Sequence, residues 1–162
     1  MIARTIPWML FVLTIAAASS QTTTVSVTLT LAPVRQEVAV GRPILLKLTL
    51  KNVSPEELIV EDSDAREDYK LMVKDKEGHE APLTDLGKFL RRPHTRIVLR
   101  NVDITLKPGE QTSQSIDIAA IYDLREPGKY FATAIRDHGI YIAGKAVGDV
   151  MTSNPVEINV TK

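Results

Sequence analysis

The chain has 162 residues, 20 basic and 20 acidic, with no Cys and one Trp. A balanced charge leaves no long-range field to draw it to nucleic acid, and the absence of Cys excludes disulfides, thiolate metal sites and a Cys nucleophile. About 44% of the residues are hydrophobic, enough for one packed core in a domain of ordinary size.

In chain order, the first segment reads as a signal. Arg4 supplies a positive start, Ile6 to Ala16 is a short apolar run, and Ala16-Ala17-Ala18 and Ala18-Ser19-Ser20 offer small residues at cleavage spacing. The expected signal is 1–20, and the expected location is the periplasm or the medium. A membrane anchor needs about 20 apolar residues, and Ser19 to Thr24 end the run too soon. No stable membrane anchor is expected, and 21–162 reads as a single domain. The only Trp, Trp8, lies in the signal.

Alternation of period two then dominates, the pattern of half-buried strands. Val25, Val27, Leu29 and Leu31 alternate with Ser and Thr, and Val38-Ala39-Val40 meets the turn Gly41-Arg42-Pro43. Leu46, Leu48 and Leu50 point one way, with Lys47, Thr49 and Lys51 on the other side, until Asn52-Val53-Ser54-Pro55 stops the strand. Leu58-Ile59-Val60 is short. An acidic loop follows, then Tyr69, Leu71 and Val73 alternate up to Asp75-Lys76-Glu77-Gly78.

Pro82 to Pro93 breaks the rhythm and reads as a long connection with a helical turn near Leu86 to Leu90. Strand pattern returns at Ile97-Val98-Leu99, at Val102, Ile104 and Leu106, and at Ile116 and Ile118, with Lys107-Pro108-Gly109-Glu110 as a turn. Ala119 to Leu124 forms a corner before Pro127-Gly128. Tyr130, Ala132 and Ala134 then face inward, opposite Phe131, Thr133 and Ile135, whose apolar members need a cover from this chain or a partner. A Gly-rich loop, Asp137 to Asp149, precedes a last strand with Val156, Ile158 and Val160 inward.

Seven or more short strands between Gly, Pro, Asn and Asp turns predict an all-β, antiparallel sandwich, with a small closed barrel as the alternative. Tyr130, just after Pro127-Gly128, stands where immunoglobulin-like sandwiches carry a Tyr whose hydroxyl bonds to upstream backbone. Two residues on, the usual Cys is Ala132. The expected fold is therefore an immunoglobulin-like β-sandwich without a disulfide.

Tyr122-Asp123-Leu124, Pro127-Gly128-Lys129-Tyr130 and Ser153-Asn154-Pro155-Val156 together resemble the closing half of bacterial exported immunoglobulin-like domains. Leu48-Thr49-Leu50-Lys51-Asn52, Asp68 to Asp75, Gly78 and Leu106-Lys107-Pro108-Gly109-Glu110 resemble the BsuPI-type proteinase inhibitor domain. Together they span roughly residues 40 to 160 and imply a sandwich fold; the second implies protease inhibition.

Several segments invite a functional reading. Asp62, Asp64 and Asp68 are candidate Ca²⁺ ligands, although Arg66 and Glu67 break the EF-hand pattern; the plain alternative is a solvated loop. Lys88, Arg91, Arg92, Arg96 and Arg100, with His94 among them, form a basic stretch suited to an acidic partner; the plain alternative is edge protection. Phe89 to His94 would be the exposed loop of an inhibitor.

His79, His94 and His138 have no zinc spacing, and Met72 and Met151 give copper little support. Gly139 to Lys145 matches a phosphate-loop spacing, but Ala146 stands where Ser or Thr must hold Mg²⁺. Asn52-Val53-Ser54 and Asn159-Val160-Thr161 fit the glycosylation sequon, relevant only in a eukaryotic host. No set of nucleophile, base and orienter emerges, so no enzyme and no cofactor is expected. The reading is an exported module that binds another protein, either an envelope component or a protease, with carbohydrate binding a further alternative.

Overall fold

The structure, a computed structural model, describes residues 27–92, 102–147 and 150–162. The expected signal at 1–20, Val25, His94, Arg96, Arg100 and the expected strand Ile97-Val98-Leu99 lie outside the described residues.

Three strands form the first sheet. β1 (Val27–Pro33) and β7 (Gln111–Asp117) flank β3 (Leu45–Asn52), all antiparallel. Alternation decides which side is wet: Leu46, Leu48 and Leu50 are fully buried, whereas Lys47 and Lys51 are exposed.

The second sheet is built around β8 (Gly128–Arg136), which pairs on one side with β5 (Lys70–Asp75) and on the other with β12 (Val156–Thr161) and the short β11 (Met151–Thr152). β2 (Glu37–Ala39) closes this sheet by pairing parallel with β12, the one parallel ladder among the described strands. Tyr130, Ala132, Ala134, Leu71, Val73, Val156, Ile158 and Val160 turn inward and meet the leucines of β3 in one core. Two sheets closing over a shared core, with the central strand bordered by the strands before and after it, make an immunoglobulin-like β-sandwich.

A smaller third sheet completes the set. It runs β10 (Lys145–Ala146), β9 (Ile140–Ile142), β4 (Leu58–Asp62) and β6 (Val102–Leu106). The expected Gly-rich loop thus contains a tight hairpin. Ala143 and Gly144 both take positive φ, 46° and 75°, the backbone that a two-residue turn between twisted strands demands, and so the segment joins a sheet instead of forming a phosphate loop. The acidic loop likewise includes a helical turn, α1 (Ala65–Asp68). The break before the basic stretch holds α2 (Asp85–Leu90), started by Thr84, whose hydroxyl accepts the Gly87 N–H at 3.1 Å. Gly87 is required there: an added Cβ would lie 2.2 Å from the Ile121 carbonyl oxygen.

Side chains that imitate backbone join the parts. The amide of Asn154 accepts from Leu31 N and donates to Leu31 O, both at 3.0 Å, and so substitutes for a strand partner at the β1 edge. Asn52, fully buried, donates to the carbonyls of Glu56 and Leu106 and accepts from Ser54, which seals it from the modification its sequon would allow. The Tyr130 hydroxyl donates to the Glu126 carbonyl at 2.9 Å across the Pro127-Gly128 corner, and Ala132, fully buried, faces Val156 in the next strand.

Replacing Tyr130 by Phe should cost about 1 kcal/mol, and Asn154→Ala, which leaves both backbone groups of Leu31 without this partner, about 1–2 kcal/mol. Urea melts of each variant check both values, and a midpoint unchanged for Asn154→Ala would remove the edge-bonding account.

Candidate functional site

One end of the second sheet gathers three of the segments singled out in the sequence. The start of β5 and the end of β8 lie side by side, Lys70 opposite Ile135. The α1 turn enters this end, the Asp137-His138 bend leaves it, and the last turn of α2 lies alongside. Between them is a cleft of about 380 Å³. Tyr69, Leu71, Leu90 and Ile121 line it with apolar surface, and Arg66, Lys70, Arg91, Glu67, Asp137 and His138 bring charge. Two larger surface grooves, of about 590 and 580 Å³, lie elsewhere. In the first, Lys88 pairs with Asp85 and Arg125 with Asp123; of the three, the smaller cleft is where α1, α2 and the Asp137-His138 bend meet.

Arg91 was expected on an exposed basic loop, and the structure gives it another task. Its guanidinium pairs with Glu80, donates to the Tyr122 hydroxyl at 2.6 Å and lies 5.7 Å from that ring's centre. The Tyr122 hydroxyl donates in turn to the Leu71 carbonyl at 2.8 Å. Glu80, Arg91 and Tyr122 therefore strap α2 over the outer edge of β5 and occupy backbone that would otherwise be an open sheet edge. Burial raises the Tyr122 hydroxyl pKa, and the hydrogen bond from Arg91 holds the Glu80 carboxyl below its ordinary value. Arg92 is exposed. His94 and Arg96 lie outside the described residues.

The candidate Ca²⁺ ligands Asp62, Asp64 and Asp68 do not share one site. Asp64 caps α1, accepting from Arg66 N and Nε at 2.9 Å each, and the Arg66 hydrogen bond lowers its pKa. Asp68 is fully buried and accepts from Ser63 N at 3.0 Å, Ser63 Oγ at 2.7 Å and Gln114 Nε2 at 3.2 Å. Asp62 is half-buried, and burial, then the charge of Asp68, raises its pKa. Their oxygens serve a cap and a buried network instead of one cation, and among the described residues no group of three or more metal-ligating side chains could hold a metal.

The largest feature missed in the sequence lies under the cleft. Arg136, 1% exposed, lies 3.8 Å from Asp68. It donates to the carbonyls of Glu61 and His138 and to the Tyr69 hydroxyl, with the Tyr69 ring centre 5.1 Å away. A guanidinium out of water needs this many partners, because its fork of donors must be filled. The signal was present in the alternation: one more step of Tyr130, Ala132, Ala134 puts position 136 inward. His138 Nδ1 is 2.5 Å from the exposed carboxylate of its neighbour Asp137. Its Nε2 is buried with no hydrogen-bond partner, so no hydroxyl among the described residues is placed for it to activate.

Comparisons with protein-family models and with curated proteins return no match. Among solved structures, the chain is similar to a CARDB domain from Pyrococcus furiosus determined with di-metal ions, at 12% identity and TM-score 0.40, over 84% of this chain and 93% of that one. It is similar to a β-glucosidase from Listeria innocua in complex with glucose, at 14% identity and TM-score 0.40, over 86% of this chain but 16% of that one. An alkylpurine DNA glycosylase from Pseudomonas fluorescens is matched at 15% identity and TM-score 0.37, over 84% of this chain and 30% of that one. The chain spans only a small part of both enzymes, and at these scores the likeness says nothing about activity.

Two tests follow from this network. Arg136→Met alone should cost about 3–5 kcal/mol by leaving Asp68 buried without its cation, while Arg136→Met with Asp68→Leu should recover most of that loss; equal losses in the two proteins would refute the pairing. Because the Glu80 pKa is lowered in the fold, its contribution is present above its ordinary 4.5 and is lost as pH falls through the lower folded value. Protection of the α2 amides, taken relative to intrinsic exchange at each pH, should therefore fall on acidification below 4.5 in the native protein and lose that dependence in Glu80→Gln.

Proposed function

We propose that the protein is an exported, non-catalytic binding module that recognises another protein through the cleft at the β5 and β8 end. The convergence of the α1 turn, the end of α2 and the Asp137-His138 bend on one hollow carries this reading. Each comes from a different connection, and loops held at one end of a rigid sandwich are where binding surfaces concentrate. Half-buried Leu90 offers apolar contact above the buried Leu71 and Ile121, and the mixed charges of Arg66, Lys70, Glu67 and Asp137 offer register without a strong net field.

Support for the other readings is thinner. A substrate-like inhibitor presents an extended segment to the protease, whereas Arg91 has helical backbone, φ −89° and ψ −6°, and its side chain is committed to Glu80 and Tyr122. A sugar site wants an accessible aromatic platform, and Tyr69 in this cleft is 4% exposed. Catalysis lacks a nucleophile beside His138 among the described residues. The reading includes no cofactor and no nucleic acid.

The test places a photo-crosslinking residue in the cleft, at Glu67 or Leu90, and on the far sheet at Thr28, in cells expressing the full chain. A discrete adduct is expected from the cleft positions in the envelope or secreted fraction, absent at Thr28 and weakened by Lys70→Glu. Equal labelling at all three positions, or retention of the chain in the cytoplasm, would overturn the proposal.

A further inference from the structure

The outer face of the second sheet is a different surface from the cleft, and it has an apolar centre. Met72 of β5 lies beside Thr133 of β8, and strand register puts Phe131 opposite Lys74 and Ile135 opposite Lys70, one repeat to either side. Diagonal neighbours on adjacent strands are about 7–8 Å apart, within reach of long side chains, so Met72, Phe131 and Ile135 make one patch. Phe131 is 38% exposed and the other two are half-buried. Arg91 and Tyr122 hold the last turn of α2 at the β5 edge, beside this patch and not over it.

The carboxylates around the patch already have partners. Glu157 is 2.8 Å from Lys129, Glu80 pairs with Arg91, Asp137 is bonded to His138 and Asp75 to His79. Asp137 and Glu80 are held below their ordinary pKa values first by His138 and Arg91, and Lys70 adds the smallest part. Lys70 and Lys74, both exposed, have no carboxylate at ion-pair distance among the described residues. They stand four residues apart on β5 and flank the apolar centre on one side. Glu37 lies on β2, beyond β12, and Glu126 precedes the corner before β8, so neither answers this flank.

We propose that this face docks an amphipathic helix of a partner protein, with carboxylates along the helix flank that lies over β5. β8 is bonded on both sides, by β5 and by β12, so the face offers no free backbone, and an incoming segment must satisfy its own N–H and C=O groups. A helix does so, and apolar residues at i, i+3, i+4 and i+7 give it a stripe to lay on Phe131, Met72 and Ile135. Phe131 and Ile135 are four residues apart on one strand, about 14 Å, which a helix spans in about nine residues. Carboxylates two turns apart on one flank, about 10.5 Å, then reach the flexible ammonium groups of Lys70 and Lys74. The other flank lies over the paired Lys129 and Glu157 and needs no charge. A broad anionic lipid surface fits less well, because it would also meet Glu157, Asp137 and Glu37 around the rim. A second copy would bring its own lysines over this face, which counts against it.

Lys70 also lines the cleft, so the test rests on Lys74 and Phe131, which do not. Fluorescence anisotropy on the protein recovered after expression of the full chain uses labelled Ala-rich peptides of about 18 residues, long enough to hold a helix. One carries Leu along the stripe and Glu along a flank, the second has Lys in place of Glu, and the third is the first in scrambled order. The acidic helix should bind with a Kd of about 100 µM, about tenfold tighter than the other two. Lys74→Glu should weaken the acidic helix about tenfold and strengthen the basic one, and Phe131→Ser should abolish binding of both. Bound acidic helix should shift amide resonances of β5 and β8 and leave those of β1, β3 and β7 in place. Thermal melts check that each variant folds; should Phe131→Ser unfold, the Lys74 series carries the test alone. No binding of the acidic helix, no preference for it over the basic one, indifference to Lys74→Glu, preferential capture by phosphatidylglycerol vesicles, or a dimer dependent on Phe131 overturns the proposal. Crosslinking from Glu67 and Leu90 depends on neither Lys74 nor Phe131, so the two surfaces stand or fall separately.

Discussion

Every strand that ends or borders solvent leaves N–H and C=O groups that must find partners, and this sandwich meets that demand without a covalent link between its sheets. Its solution is side chains that behave as backbone. The Asn154 amide bonds the edge of β1 to the turn before β12. The Asp117 carboxylate accepts from Ile44 and Ala119 and so holds the start of β3 to the end of β7. Asn52 ties the end of β3 to β6 and the loop after it. In each case one polar side chain bonds segments far apart in sequence: Asp117 within the first sheet, Asn154 between the first and second sheets, and Asn52 between the first and third.

The same demand explains why Arg136 beneath the cleft and Arg91 at its rim are poor candidates for free recognition groups. Arg136 is buried and its donors are spent on Asp68, Tyr69 and carbonyls. Arg91 is half outside, yet Glu80 and Tyr122 hold it. Their contribution is rigidity: α1, the His138 bend and α2 are fixed around one hollow, and a binding surface fixed beforehand loses less ordering entropy on association. The buried ion pair contributes position more than stability, since two charges removed from water recover little beyond their desolvation.

Much of the architecture was legible in the chain itself. Period two in Leu46, Leu48 and Leu50, or in Val156, Ile158 and Val160, determined which side of each strand is buried, because a strand gives a residue only two directions and water rejects the apolar one. Pro127-Gly128 before Tyr130 marked the corner for the same local reason. The cleft was not legible. Nothing in local pattern says that Glu80 will meet Arg91, that Asp68 will lie beside Arg136, or that the Gly-rich segment will pair with β4, since such contacts depend on strand order and on which edge each connection crosses. The sequence determined the burial of each strand; only the tertiary structure decided which buried charges and which loops are neighbours, because partners distant in sequence are chosen by packing and not by any pattern within either segment.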